Sequence, residues 1–141
     1  MSQDILMVVD DSEIDRYIIR RLLQKSGPDV TLVECHDGAQ AIRWLNENRL
    51  DETTRLFVLL DINMPVMNGF ECLAQLSRLL EKRTDLERLS VTVLTSSNHP
   101  EDLHRSIAYP FVDRHLVKMP SADELRDMLR ETVQGNAPAP P

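Results

Sequence analysis

The chain has 141 residues, a length typical of one domain, and carries 16 Lys and Arg residues against 23 Asp and Glu residues, a formal net charge of −7. This acidic balance disfavours a nucleic-acid-binding protein, because contacts to a phosphate backbone need clustered cations. The sequence has no apolar stretch near the ~20 residues of a membrane helix, and its N-terminus lacks the basic region of a signal peptide. We therefore predict a cytoplasmic protein whose partners include neither a nucleic acid nor a membrane.

Five apolar segments alternate with segments of helical periodicity along the chain. The apolar segments predict strands at residues 5–9, 30–35, 56–60, 89–95 and 114–118. The first and third are apolar throughout, as expected of strands covered on both faces of a parallel sheet. Apolar residues three or four positions apart predict the five helices, and they are Ile14, Ile18, Leu22, then Ala41, Ile42, Leu45, then Phe70, Leu73, Leu76, Leu80, then Leu103, Ile107, and finally Leu125, Met128, Leu129.

This alternation predicts an α/β fold, a doubly wound parallel sheet of five strands with five helices. One domain then spans residues 1–133, and the Pro-rich residues 134–141 are expected to form a disordered tail. The short tail leads us to expect no second folded domain.

Polar residues stand at the ends of four predicted strands. Asp10 and Asp11 follow the first strand, Asp61 the third, while Thr95 ends the fourth and Lys118 the fifth. Each of these residues alone is weak evidence for a functional site, since an Asp at a strand end is commonly a turn or helix-cap residue. Because ligands of doubly wound folds bind beyond the carboxyl ends of the strands, we expect the five to converge at one site.

Three neighbouring aspartates repel one another, so their ionised forms need a cation. Mg²⁺ suits such a site, since it prefers oxygen ligands and takes one or two protein carboxylates plus a phosphate. A remaining carboxylate can attack phosphorus as a nucleophile, with a lysine and a hydroxyl stabilising the charge that develops on the phosphoryl oxygens. The constellation therefore predicts phosphoryl transfer assisted by Mg²⁺.

The segments "VVDDSEIDR", "LLDINMPVMNG", "VLTSS" and "LVK" resemble, in this order, the receiver domain of two-component response regulators. The resemblance runs from about residue 4 to residue 133 and is closest to the stand-alone, chemotaxis-regulator type. It implies the flavodoxin-like (βα)5 fold. It also implies a protein that takes a phosphoryl group from a sensor histidine kinase and signals by protein contact. Such a protein is no metabolic enzyme and catalyses only its own phosphorylation and slow dephosphorylation.

The resemblance also assigns roles to single residues. Asp61 is implied as the phosphoacceptor, with Thr95 and Lys118 contacting the phosphoryl group. The implied Mg²⁺ ligands are all oxygen atoms near the acceptor, from the carboxylates of Asp10, Asp11 and Asp61 and the backbone carbonyl of Asn63. Thr95 and His115 occupy the switch positions, although the family usually has an aromatic residue where this chain has His115.

The family's partners follow from the same resemblance. The phosphoryl donor is a sensor histidine kinase of the phytochrome or chemotaxis type, or a phosphotransfer protein, and the output is a downstream protein target. We expect that target to contact the fourth helix, fifth strand and fifth helix. The chain itself is expected to be a monomer or a weak phosphorylation-dependent dimer.

The family's lysine is usually followed directly by proline through a cis peptide bond. Here Met119 intervenes and Pro120 comes one residue later. Because a cis bond before a residue other than proline costs ~3–4 kcal/mol, the sequence predicts a trans Lys118–Met119 peptide.

Two other functions remain open at this point. A small phosphohydrolase of the haloacid dehalogenase type also uses an Asp at a strand end, but it places a second Asp where this chain has Asn63. A flavodoxin-like cofactor binder needs a phosphate-binding loop after the first strand, where the acidic residues 10–15 would repel phosphate. Cys35 and Cys72 match no metal-binding or redox spacing and are expected to be reduced, and residues 81–89 are expected to form a solvated loop.

Overall fold

The computed structural model describes residues 4–26, 29–64, 67–96, 104–106 and 108–135. Its strands are β1 (Asp4–Val9), β2 (Val30–Cys35), β3 (Leu56–Asp61), β4 (Leu89–Thr95) and β5 (Val112–Val117). Its helices are α1 (Glu13–Ser26), α2 (Gly38–Glu47), α3 (Gly69–Lys82), the helical residues 104–106, labelled α4, and α5 (Ala122–Gly135).

The strands form one sheet in the order β2-β1-β3-β4-β5, and every neighbouring pair is parallel. The chain passes from β1 outward to β2 and then returns to β3 on the other side of β1. This reversal makes the gap between β1 and β3 the point where a doubly wound fold binds its ligand. The predicted fold class is confirmed.

The core lies on both faces of the sheet. On one face, β1 residues such as Leu6 and Val8 pack with α1 and α5, and on the other, Met7 and Val9 pack with α2 and α3. Every residue of β3 and β4 is buried, as expected of central strands covered on both faces, which explains the apolar run Leu56–Leu60 of β3. Cys35 and Cys72 are free thiols within this core, and burial raises their pKa values to about 11 and about 12.

The prediction of a solvated loop at residues 81–89 is wrong. A 3-10 helix occupies Thr84–Leu86, and the guanidinium of Arg83 is only 8 % exposed. Arg83 donates to the backbone carbonyls of Leu45 and Asn48, at 2.6 and 2.9 Å, and pairs with Asp85. A hydropathy pattern predicts that charged residues are exposed, because it cannot show that Arg83 and Asp85 are largely buried together and hydrogen-bonded to each other.

Several predictions fall on parts of the chain outside the described residues. They include Leu103 and Ile107 of the predicted fourth helix, of which only residues 104–106 are described. The last helix ends at Gly135, two residues into the predicted tail, and residues 136–141 lie beyond the description. Among the described helices none is long and apolar enough to cross a membrane.

Candidate functional site

Three aspartates meet at the carboxyl edge of the sheet, between β1 and β3. One carboxylate oxygen from each of Asp10, Asp11 and Asp61 lies within 4.8 Å of the others. Asp10 and Asp61 are buried, with 0 and 3 % exposure, whereas Asp11 is exposed. The structure therefore brings together the three carboxylates that the strand ends predict.

The turn that leads from β1 into α1 fixes Asp10. Its backbone N–H donates to the carbonyl of Cys35 at 3.0 Å, and its Oδ1 accepts from the Ser12 N–H at 2.9 Å. Ser12 in turn caps the helix, since its Oγ accepts from the Asp15 N–H at 3.2 Å. Burial raises the pKa of Asp10, and nearby Lys118 offsets only part of that rise. The carboxylate of Asp10 is thus held where its charge is costly without a cation.

The loop after β3 orients Asp61. Its Oδ1 accepts from the N–H of Asn63 at 2.9 Å, and the following backbone returns so that the Gly69 N–H donates to the Ile62 carbonyl at 3.2 Å. A Cβ at position 69 would lie 2.4 Å from the Ile62 Cα, so this close approach requires glycine. The other oxygen, Oδ2, stays directed at the pocket.

Lys118 lies among three carboxylates. Its Nζ is 2.8 Å from Asp10 Oδ2, 2.8 Å from Asp15 Oδ2 and 3.1 Å from Asp61 Oδ2. Burial alone would lower the pKa of Lys118, but the contacts with Asp10 and Asp15 and the charge of Asp61 outweigh it and raise the pKa. The ammonium is therefore charged at neutral pH and lies beside the predicted acceptor.

Sequence reasoning missed Asp15 as a member of this pocket. Asp15 stands three residues after Ser12, a spacing typical of a helix cap, and that local role hides the contact with Lys118, which is 103 residues away in the chain. A signal does exist, because Asp15 lies in the first turn of the helix that directly follows Asp10 and Asp11.

Thr95 ends β4 with its side chain buried, at 2 % exposure. Its backbone carbonyl accepts from the Lys118 N–H at 2.8 Å, which ties the ends of β4 and β5 together. Its Oγ1 has no hydrogen-bond partner among the described residues. Because an unpaired buried hydroxyl is unfavourable, Thr95 has a donor available for a group bound in the pocket.

Asn63 and His115 are both exposed. Asn63 is exposed directly after the acceptor strand, and His115 is exposed on β5. The role of the Asn63 carbonyl as a metal ligand remains a prediction. The role of His115 in switching also remains a prediction.

The prediction of a trans Lys118–Met119 peptide is wrong, since this bond is cis. The prediction weighed only the intrinsic preference of an isolated peptide. In the fold, contacts fix the residues on both sides of the bond. The Lys118 N–H donates to Thr95, its Nζ lies among the aspartates, and Met119 packs against the core shared by α1 and α5.

The donor set fits a hard divalent cation. Asp10 Oδ2 lies close to Lys118 without the orientation of a hydrogen bond, so this buried oxygen has no hydrogen-bond partner among the described residues. With Asp11 and Asp61 it forms a group of carboxylate oxygens, the ligand type that Mg²⁺ prefers. The chemistry of this donor set therefore fits Mg²⁺.

Known proteins resemble this chain in sequence and in fold. The response regulator Rcp1 of Synechocystis sp. is 29% identical over 128 residues, which cover 89% of this chain and 84% of that protein. The structure of the chemotaxis protein CheY4 of Vibrio cholerae superposes with a TM-score of 0.72 at 26% identity, covering 93% of this chain and 99% of that one.

A third likeness shows the fold alone. A chain of the Saccharomyces cerevisiae co-crystal structure of the histidine phosphotransfer signaling protein Ypd1 with the receiver domain of the response regulator Ssk1 superposes with a TM-score of 0.77. Its identity is 19%, and the superposition covers 98% of this chain and 94% of that one. The family model of the response regulator receiver domain matches residues 6–130. The chain belongs to the response regulator receiver domain family.

Proposed function

We propose that Asp61 is the residue that accepts the phosphoryl group in this receiver domain. The observation that carries the assignment is its position, buried at the point where strand order reverses and in contact with the Lys118 ammonium at 3.1 Å. Asp10 is equally buried, but its Oδ2 has no hydrogen-bond partner among the described residues and is the oxygen available to the metal. Asp11 is exposed to water, so its carboxylate is not held in a buried position as that of Asp61 is.

The chain's own residues support transfer in a simple way. A carboxylate oxygen of Asp61 forms a bond to phosphorus while the bond from phosphorus to the donor breaks, and the donor atom keeps the electron pair. Lys118 and the free hydroxyl of Thr95 would contact the phosphoryl oxygens, on which charge accumulates. Bound Mg²⁺, held by Asp10, Asp11, Asp61 and the carbonyl of Asn63, would supply further positive charge to those oxygens.

This chemistry makes the chain a signalling domain that catalyses only its own phosphorylation and slow dephosphorylation. The matches described above do not support the phosphohydrolase alternative. Asn63 supports the same conclusion, since its side-chain amide cannot shuttle the proton that phosphoester turnover needs. The free buried thiols of Cys35 and Cys72 are consistent with a location in the reducing cytoplasm.

A histidine kinase or a histidine phosphotransfer protein is the proposed donor. Membership of the receiver domain family supports this class of partner. The first turn of α1 lies beside the pocket, since its Asp15 contacts Lys118. Two large apolar side chains on α1, Ile14 and Tyr17, are 71 and 51 % exposed. The output partner would contact α4, β5 and α5, where His115 and Val117 are exposed, and the domain would act as a monomer or a weak phosphorylation-dependent dimer.

Intact-mass measurement after incubation with acetyl phosphate and Mg²⁺ tests the acceptor. The wild-type chain should gain the mass of one phosphoryl group, and Asp61→Asn should gain none. Asp51→Asn, at an exposed aspartate outside the pocket, is the matched control and should take up as much as wild type. Uptake by Asp61→Asn equal to that of wild type would refute the assignment.

A further inference from the structure

Lys118 has one more carboxylate partner than the proposed chemistry uses. An ammonium has three N–H donors and no acceptor, and three carboxylates surround this one, at 2.8 Å for Asp10, 2.8 Å for Asp15 and 3.1 Å for Asp61. Asp10 and Asp61 belong to the acceptor and metal group, whereas Asp15 comes from α1 and lies outside it. Its contact is nevertheless shorter than that of the acceptor.

Asp15 is also the partner that Lys118 can lose at least cost. Its side chain is 26 % exposed, against 0 % for Asp10 and 4 % for Asp61. Released from the lysine, the Asp15 carboxylate would be hydrated rather than left buried and unpaired. It would also remain in the first turn of α1, where the helix dipole favours a negative charge.

A phosphoryl group on Asp61 would compete for the same donors. It adds about 1.5 to 2 negative charges and three strong acceptor oxygens beside an ammonium that already contacts three carboxylates and donates hydrogen bonds to Asp15 and Asp61. We propose that Asp15 is a positioning residue that holds Lys118 in the unphosphorylated pocket and gives it up to the phosphoryl group. The contact between Asp15 and Lys118 thereby opposes phosphorylation of Asp61. Its loss on phosphorylation changes the surroundings of the first turn of α1. This inference rests on the proposed function of Asp61.

Beryllofluoride, a mimic of the phosphoryl group, allows the competition to be measured without phosphate hydrolysis. We would titrate the folded chain with beryllium and fluoride at saturating Mg²⁺ and follow the bound fluorine by ¹⁹F NMR. Asp15→Asn should bind roughly two- to fivefold more tightly than wild type, as expected when one partly exposed ionic contact no longer has to be broken.

Two variants separate this effect from a general change of charge. Glu13→Gln removes the same charge from the same helical turn, and the contacts found around Lys118 do not include Glu13. Asp15→Glu keeps the charge and can still reach the lysine. Both should bind beryllofluoride with nearly the wild-type affinity. On binding, the amide signals of residues 13–16 should shift in wild type and shift clearly less in Asp15→Asn.

The outcomes distinguish this inference from the proposed function. If wild type and Asp15→Asn bind equally well, or if Glu13→Gln tightens binding as much as Asp15→Asn, Asp15 does not compete for Lys118 and the inference is wrong. If wild type binds no beryllofluoride, the proposed function fails and the inference fails with it. Melting temperatures of the variants would show that each protein is folded during the titration.

Discussion

At the scale of single residues, the pocket contains one hydroxyl that costs stability in the unliganded protein. Thr95 is buried with its Oγ1 unpaired among the described residues, although its backbone carbonyl is bonded to Lys118. A buried polar atom without a partner is destabilising, and evolution keeps such atoms where they serve a bound ligand. The Thr95 hydroxyl therefore lowers the stability of the unliganded protein but favours ligand binding.

The substitution Thr95→Val tests both effects, because valine keeps the branched shape and removes only the hydroxyl. We expect the melting temperature of the unliganded protein to stay equal or rise. Beryllofluoride binding should weaken by roughly tenfold or more, the loss of one hydrogen bond to a charged group. A variant that melts lower than wild type and binds the mimic unchanged would show that the hydroxyl acts in folding instead.

At the scale of elements, a buried ion pair joins the ends of α2 and α3. Arg83 donates to the last carbonyls around α2, at Leu45 and Asn48, while Asp85 accepts from the N–H of Leu50 at 2.9 Å. The hydrogen bond from Arg83 holds the pKa of Asp85 well below its usual range. One side chain thus satisfies carbonyls that the end of α2 would otherwise leave unpaired.

Arg83→Met should lower the free energy of unfolding at pH 7 by about 3 kcal/mol, since two carbonyls lose their donor and Asp85 keeps only the Leu50 N–H and the exposed Arg49, 3.9 Å away. The depressed pKa sets the sign of the pH effect. Ionised Asp85 stabilises wild type above its unfolded pKa of about 3.9, and this contribution is lost as the pH falls toward the folded pKa. Urea unfolding should therefore show a smaller difference between the two proteins at pH 3 than at pH 7. A difference that widens in acid would contradict this account.

We predict that phosphorylation of Asp61 acts on α4 and β5 through the end of β4. Thr95 precedes the segment that leads to α4, and the Arg105 guanidinium of α4 lies 3.7 Å from the centroid of the Phe70 ring in the first turn of α3. His115 is exposed on β5, where the family usually has a larger aromatic residue. A smaller residue there leads us to expect unphosphorylated and phosphorylated forms closer in population.

Amide spectra recorded with and without beryllofluoride test this route. A phosphoryl mimic on Asp61 should draw the Thr95 hydroxyl inward, so the largest changes outside the pocket and the first turn of α1 should fall on residues 95–118. Residues 39–45 of α2, on the far side of the sheet from α1, serve as the internal reference. If the largest shifts fell on α2 instead, signalling through β4 and β5 would be wrong.

The sequence predicts these elements unevenly, for physical reasons. Strands β2 and β4 have the predicted bounds, since both are short segments rich in β-branched residues, although β2 lies at the edge of the sheet and only β4 is buried throughout. Strand β5 begins at Val112, two residues before the predicted start, because an edge strand alternates buried and exposed residues. The 3-10 helix at Thr84–Leu86 was missed because its buried charges look like surface charges.

At the scale of the whole molecule, the site follows from topology. A parallel sheet that reverses its strand order beside β1 must bring the ends of β1 and β3 together, so Asp10, Asp11 and Asp61 could be assembled from strand assignments alone. Contacts between side chains that are distant in sequence could not be predicted in this way. The pairing of Asp15 with Lys118 and the cis Lys118–Met119 bond depend on how α1 and β5 pack, which no local pattern records.

The central claim, that Asp61 is the acceptor among several pocket carboxylates, can be tested by locating the modified residue. After phosphorylation with acetyl phosphate and Mg²⁺, borohydride reduces an aspartyl phosphate to homoserine, and peptide mass spectrometry identifies the residue that changed. We predict homoserine at position 61 in wild type, and none at positions 10, 11 or 15. Homoserine at one of those three positions, with Asp61 unchanged, would contradict the account.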